Sequence, residues 1–155
     1  RIKDENKSLK VVANVVDDIP HIRADYDKIT QVLRNIADNA FDYTPEGGTI
    51  TFGTQYVPDD DAVIIMVEDT GIGMPENVRL RVFERFFRGD EYSELVMNTP
   101  GTGLGLSIVR ELVQMHNGTI WVNSVQDEGT TFFIKIPVAT EDDTDPRLEE
   151  DEKRA

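Results

Sequence analysis

Three small groups of residues carry the chemistry this sequence can offer. Asn35 and Asn39, in "NIADNA", stand four residues apart, which on a helix puts both amides on one face. An asparagine carbonyl oxygen is uncharged, yet it is a suitable ligand for a hard cation such as Mg2+. An ordinary solvated helix face carries such pairs as well. Asp69 closes an apolar run and is followed at once by "TGIGM", with Gly71 and Gly73. A carboxylate at a strand end, beside a glycine-opened turn, can accept a hydrogen bond from an amino group such as that of adenine. The same residues suit an aspartate-initiated turn whose glycines serve backbone geometry alone. Finally, "PGTGLGLSIV" sets Gly101, Gly103 and Gly105 at alternate positions before an apolar, helix-like run. Unpaired N–H groups and the dipole at a helix start favour phosphate there. The spacing is not that of a P-loop, which needs Gly-Lys-Ser/Thr, nor of the G-x-G-x-x-G turn.

The elements that must position these groups follow from periodicity. "LKVVANVV" (Leu9 to Val16) reads as a strand and "HIRA" as a short second one. Asp25 is placed to cap a helix running from Tyr26 to about Tyr43. Its Ile29, Val32, Leu33, Ile36, Ala37 and Ala40 keep the spacing of a buried face, and the two asparagines border that stripe. "TPEGG" stops the helix. "TITFGTQYV" and "AVIIMVED" read as hairpin neighbours, the second as a central strand. A loop-rich stretch follows, with a short helical segment expected around Arg79 to Phe87. Leu106, Val109, Leu112 and Val113 mark a second amphipathic helix, and "GTIWVNSV" with "GTTFFIKIP" forms a closing hairpin. This order predicts an α+β two-layer sandwich: a mixed, mostly antiparallel sheet with helices on one face.

At 155 residues, 39% apolar and 30% charged, the chain suits one soluble domain. A formal net charge of −14 argues against a general nucleic-acid binder, without forbidding one local anion site built from backbone N–H groups. The absence of cysteine excludes disulfides, zinc-thiolate sites and thiol chemistry. No apolar run approaches the roughly 20 residues of a membrane span, so no membrane contact is expected of this stretch. The chain opens on Arg1 and is read as a piece of something longer. Residues 1–8 are expected to end an upstream linker helix, residues 9–139 to form the domain, and residues 140–155 an acidic disordered tail.

In this order and spacing, Asn35/Asn39 of "NIADNA", Asp69 of "DTGIGM", Phe83, Phe86 and Phe87 of "VFERFFRGD", and the glycines of "GTGLGLSIV" resemble four sequence boxes. These are the N, G1, F and G2 boxes of the catalytic ATP-binding domain of bacterial sensor histidine kinases. That domain has the Bergerat (GHKL) fold of type II topoisomerase and mismatch-repair ATPases, and the resemblance spans about Leu9 to Val138. It implies ATP and Mg2+ as cofactors. Asn39 would hold the metal, and Asn35 would line the triphosphate. Asp69 would accept from the adenine amino group, supported through water by Thr130, with Gly71 and Gly73 admitting the base. Gly101, Thr102, Gly103, Leu104, Gly105 and Leu106 would cradle phosphates, and a lid would run from Met74 to Thr99. Tyr43 would pack near the nucleotide, and Arg88 would reach the γ-phosphate.

The reaction class can be narrowed. ATPases of this fold carry a glutamate one turn before the metal-binding asparagine, where this chain has Asn35, which cannot act as a general base. The site is therefore expected to spare ATP from water and present it to another nucleophile. Only His21 and His116 occur, and neither has the His-Glu/Asp context of a phosphoacceptor helix. The resemblance thus implies a fragment that does not phosphorylate itself and acts on a separate dimerisation and phosphoacceptor domain upstream. A response-regulator receiver domain would follow in the pathway. The setting would be the cytoplasm, with the full-length protein anchored in the bacterial inner membrane. Asp42 departs from the pattern, since many relatives carry Lys or Arg there, against the phosphates. It keeps open a non-catalytic nucleotide-sensing or interaction module; a serine-directed kinase of the anti-sigma type is the other alternative.

Overall fold

Five strands make one sheet in the computed structural model, which describes residues 7–88 and 105–140. They are β1 (Lys10–Asn14), β2 (Thr49–Val57), β3 (Ala62–Asp69), β4 (Thr119–Val125) and β5 (Gly129–Pro137), arranged in the order β1-β2-β3-β5-β4. The expected hairpins β2–β3 and β4–β5 both form, and β3 pairs antiparallel with β5. Each hairpin turns through left-handed backbone: Asp61 at φ 46° in the first, Asp127 at φ 66° and Gly129 at φ 137° in the second. β1 alone pairs in parallel, with Lys10 opposite Thr49, because a helix intervenes before β2 and carries the chain back to the same end of the sheet. "HIRA" is not a strand: it contributes one isolated bridge, Ile22 to Val138, at the rim.

Three α-helices lie among the described residues: α1 (Tyr26–Tyr43), α2 (Glu76–Arg79) and α3 (Gly105–Met115). Asp25 caps α1 by accepting the Lys28 N–H at 3.0 Å, a bond that also holds its carboxyl below the usual range. The buried stripe is Val32, Ile36 and Ala40, as the periodicity requires. It meets Val109 and Val113 of α3 and the inward row of β5, Phe132, Ile134 and Ile136. Burying each of these large side chains contributes about 1.5–3 kcal/mol. Phe83 stands edge-on to Phe132, ring centroids 6.1 Å apart, and Phe87 also packs on the core; Phe86 is exposed at φ 58°. On the other face of the sheet, Trp121 stacks on Phe133 with centroids 5.2 Å apart. The helical segment expected at Arg79 to Phe87 starts earlier, at Glu76, and continues as turns beyond Arg79.

Two polar clasps fix α1 at its ends. Lys7 donates to the Phe41 carbonyl at 2.6 Å, placing a cation at a helix end whose own last turn has no basic residue. At the other end the Asp25 N–H donates to His116 Nε2 at 3.1 Å, while His116 Nδ1 lies 2.7 Å from the Leu112 carbonyl. An amide N–H can only donate, so Nε2 is the bare nitrogen and Nδ1 carries the proton to Leu112.

Candidate functional site

β3 delivers Asp69 to the helix-covered side of the sheet, where it is 5% exposed. Its Oδ1 accepts the Gly71 N–H at 2.8 Å, closing the aspartate-initiated turn. Burial pushes the carboxyl up to about 6, against the lowering effect of N–H groups from Gly71 and Thr130. A carboxylate kept in so dry a place, with only part of its hydrogen-bonding capacity used by the protein, is a group held ready for a donor.

The loop after Asp69 is pinned on both sides. Ile72 N–H donates to the Tyr43 carbonyl at the end of α1, and the Ile72 carbonyl accepts from Asp127 in the β4–β5 turn. The close approaches account for the glycines. A Cβ on Gly71 would fall on the Tyr43 carbonyl oxygen and on Asp69 Oδ1. Gly73, at φ 62°, lies against the Val125 carbonyl. The Met74 N–H donates to Ser124 Oγ at 2.8 Å, and that hydroxyl is 2.8 Å from Thr130 Oγ1. Thr130 is the register partner of Asp69, so the hydroxyl and the carboxylate leave neighbouring strands on the same face.

α1 brings the amides. Asn35 and Asn39 are half-buried, and Asn39 precedes Tyr43 by four residues, about 6 Å of helix axis. Asn39 therefore stands one turn from the residue that holds the glycine loop. α3 packs along α1, and His116 joins the end of α3 to the start of α1. The two helices thus run in opposite senses, and α3 begins toward the end of α1 that carries the asparagines. Gly105 is exposed there, and no atom of the other described residues lies within 4 Å of where a Cβ would sit. Leu106 beside it is half-buried against the core. Arg88 is exposed at the end of the first described stretch. Gly101, Thr102, Gly103 and Leu104 lie outside the described residues, as do residues 89–99 of the segment expected to form a lid.

Ser124 and His116 are structural hubs that sequence reasoning missed. The alternation of β4 places Ser124 on the inward face beside Val122, but only the sheet order brings it to Met74 and Thr130. His116 needs both ring nitrogens for its two contacts, so its ring is structural, with no nitrogen presented as a nucleophile.

Residues 24–140 match the family model described as histidine kinase-, DNA gyrase B- and HSP90-like ATPase. The sensor histidine kinase WalK of Bacillus subtilis is 39% identical over 141 residues, which cover 91% of this chain and 23% of that protein. The chain spans between a fifth and a third of the curated relatives it matches. Among solved structures, the mycobacterial sensor histidine kinase MprB superposes with a TM-score of 0.73 at 29% identity, covering 84% of each chain. Full-length ShkA in complex with AMPPNP gives a TM-score of 0.72 at 32% identity, over 85% of this chain and 26% of that one.

Proposed function

This chain belongs to the histidine kinase-, DNA gyrase B- and HSP90-like ATPase family, and from that premise we propose that it binds Mg-ATP and donates the γ-phosphate to a histidine on a separate phosphoacceptor domain. The observation that carries the proposal is Asp69, a dry, partly satisfied carboxylate beside a pinned glycine loop, with two half-buried amides one helix away. The AMPPNP bound by ShkA supports an adenine nucleotide as ligand.

The residues fit that ligand. Asp69 would orient the adenine through its amino group, with Thr130 beside it. Asn39 would hold Mg2+; among the described residues no group of three or more His, Asp or Glu side chains could hold a metal, so the ion would arrive with the nucleotide. Asn35 would line the phosphates together with the backbone around Gly105. When bound, Mg-ATP supplies a phosphoryl group whose transfer depends on positioning and charge neutralisation. Asn35 abstracts no proton from water, which favours transfer over hydrolysis. Arg88 would neutralise charge on the γ-phosphate, and exposed Phe86 would meet the partner domain. The reading assigns the dimerisation and phosphoacceptor domain and a receiver domain as partners, and a cytoplasmic site of action in a membrane-anchored protein. Among the described residues no helix is long and apolar enough to cross a membrane.

Calorimetry with Mg-ADP tests the ligand. Addition of a purified phosphoacceptor domain with radiolabelled ATP tests the reaction, the expected product being acid-labile phosphohistidine. Appreciable ATP turnover by the chain alone would refute the transfer reading. Asp42 favours one second reading, a nucleotide-sensing or interaction module. That reading wins if no acceptor is ever phosphorylated, whether or not Mg-ADP binds.

A further inference from the structure

Ser124 takes no part in the proposed function as stated, yet its hydroxyl touches three groups at the adenine end of the site. It accepts the Met74 N–H at 2.8 Å, lies 3.0 Å from the Gly129 carbonyl oxygen, and lies 2.8 Å from Thr130 Oγ1. One hydroxyl has one proton and two lone pairs. The Gly129 carbonyl can only accept, so the Ser124 proton goes there. Thr130 and Ser124 are then close enough to require a proton between their oxygens, and the only one left is that of Thr130. The Thr130 hydroxyl is thereby turned toward Ser124 and shows only lone pairs to the site.

We propose that Ser124 is a specificity-determining positioning residue: by taking the Thr130 proton it makes Thr130 an acceptor, so that Thr130 and Asp69 together form a wall that admits a purine edge bearing an amino group and rejects one bearing a carbonyl. Adenine presents two amino protons at that edge, whereas guanine presents an oxygen. The inference rests on the nucleotide-binding reading above and adds to it a residue and a selectivity. Both wall groups are well shielded, Asp69 at 5% and Thr130 at 7% exposure, so an acceptor facing them finds little water to relieve the repulsion.

The test is calorimetry with Mg-ADP and Mg-GDP on wild type, Ser124→Ala, Ser124→Thr, Thr130→Val and the Ser124→Ala/Thr130→Val double variant. Hydrogen exchange of the Met74 amide is followed in parallel on the nucleotide-free proteins. Ser124→Ala is expected to lower the ADP-over-GDP preference by about three- to tenfold, the worth of one misdirected hydrogen bond. Ser124→Thr, which keeps the hydroxyl, retains the preference. Thr130→Val is expected to cost less in the Ser124→Ala background than in wild type, because the orientation it removes is already lost. The Met74 amide exchanges faster in Ser124→Ala without nucleotide. An unchanged preference in Ser124→Ala, or fully additive losses, overturns the role assigned to Ser124 while leaving nucleotide binding intact. Failure of wild type to bind Mg-ADP overturns both readings.

Discussion

Replacing Asp69 with asparagine should stabilise the empty domain and weaken its hold on nucleotide. In the unfolded chain this carboxyl ionises near 3.8, and in the fold near 6, because burial opposes the charge. Below about pH 4 both states hold the proton and nothing is lost. Between 4 and 6 the unfolded chain ionises while the folded one keeps its proton, so rising pH drains stability. Above 6 the whole penalty is in force. The gap is about two pH units at about 1.4 kcal/mol each, so at pH 8 the ionised carboxylate costs about 3 kcal/mol. An amide in its place would remove that cost but would weaken the bond from Gly71 and bury an NH2 group, a loss of about 1–2 kcal/mol. The net expectation for Asp69→Asn is a gain of about 1–2 kcal/mol at pH 8, or about 4–8 °C in midpoint. That gain shrinks as pH falls and reverses below about pH 5, where the vanishing ionisation penalty no longer offsets the weakened Gly71 bond and the buried NH2. Thermal melts of both proteins without nucleotide, from pH 4 to 8, isolate this one group from the other carboxylates. Titration with Mg-ADP at pH 8 should show at least about tenfold weaker binding, since a charge-assisted bond becomes a neutral one. A variant less stable than wild type at pH 8, by an amount independent of pH, would refute the reasoning.

Gly71→Ala should cost more than about 2 kcal/mol and abolish Mg-ADP binding, because its Cβ would strike the Tyr43 carbonyl and the carboxylate together; urea melts measure the first effect and calorimetry the second. His116→Ala should lower stability by about 1–2 kcal/mol through loss of both ring contacts, yet leave phosphotransfer to a supplied acceptor domain in place. A requirement for the imidazole in transfer would overturn the structural role given to it. Asn35→Glu should raise phosphate release from ATP at least about tenfold, by placing a general base one turn before Asn39; no rise would mean that water has no access there.

Elements with their own local signature were legible in the sequence. α1 matches the expected Tyr26 to Tyr43 because cap, stripe and stop all lie within it or at its ends. β2 and β3 match because the short polar turn from Pro58 to Asp61 joins two runs of strand-forming residues. "HIRA" misled because it holds a single β-branched residue, Ile22, a weak strand signal, and it meets Val138 through one isolated bridge rather than a ladder. The parallel pairing of β1 and the insertion of β5 between β3 and β4 leave no local trace. The candidate residues were readable as types: a carboxylate at a strand end, paired amides, glycines before a helix. Why Gly71 and Gly73 must be glycine was not readable, since the atoms they avoid belong to Tyr43 and Val125. The proton traffic through Ser124 and His116 depends on contacts made across the fold and was equally hidden.

The place of β5 in the sheet also sets when the pocket can exist during synthesis. Asp69 finds its register partner Thr130 on β5, the last strand in chain order among the described residues, and that strand separates β3 from β4. Until it emerges, β3 has an open edge and the Asp69 carboxylate faces water, where it bears its charge at no cost. The arrival of β5 closes the edge, buries the carboxylate and lays Thr130 beside it in a single step. A chain cut short before Gly129 would keep Asn35, Asn39, Gly71 and Gly73 and still lack Thr130 beside Asp69, so on the proposed reading nucleotide capture would report that β5 has joined the sheet.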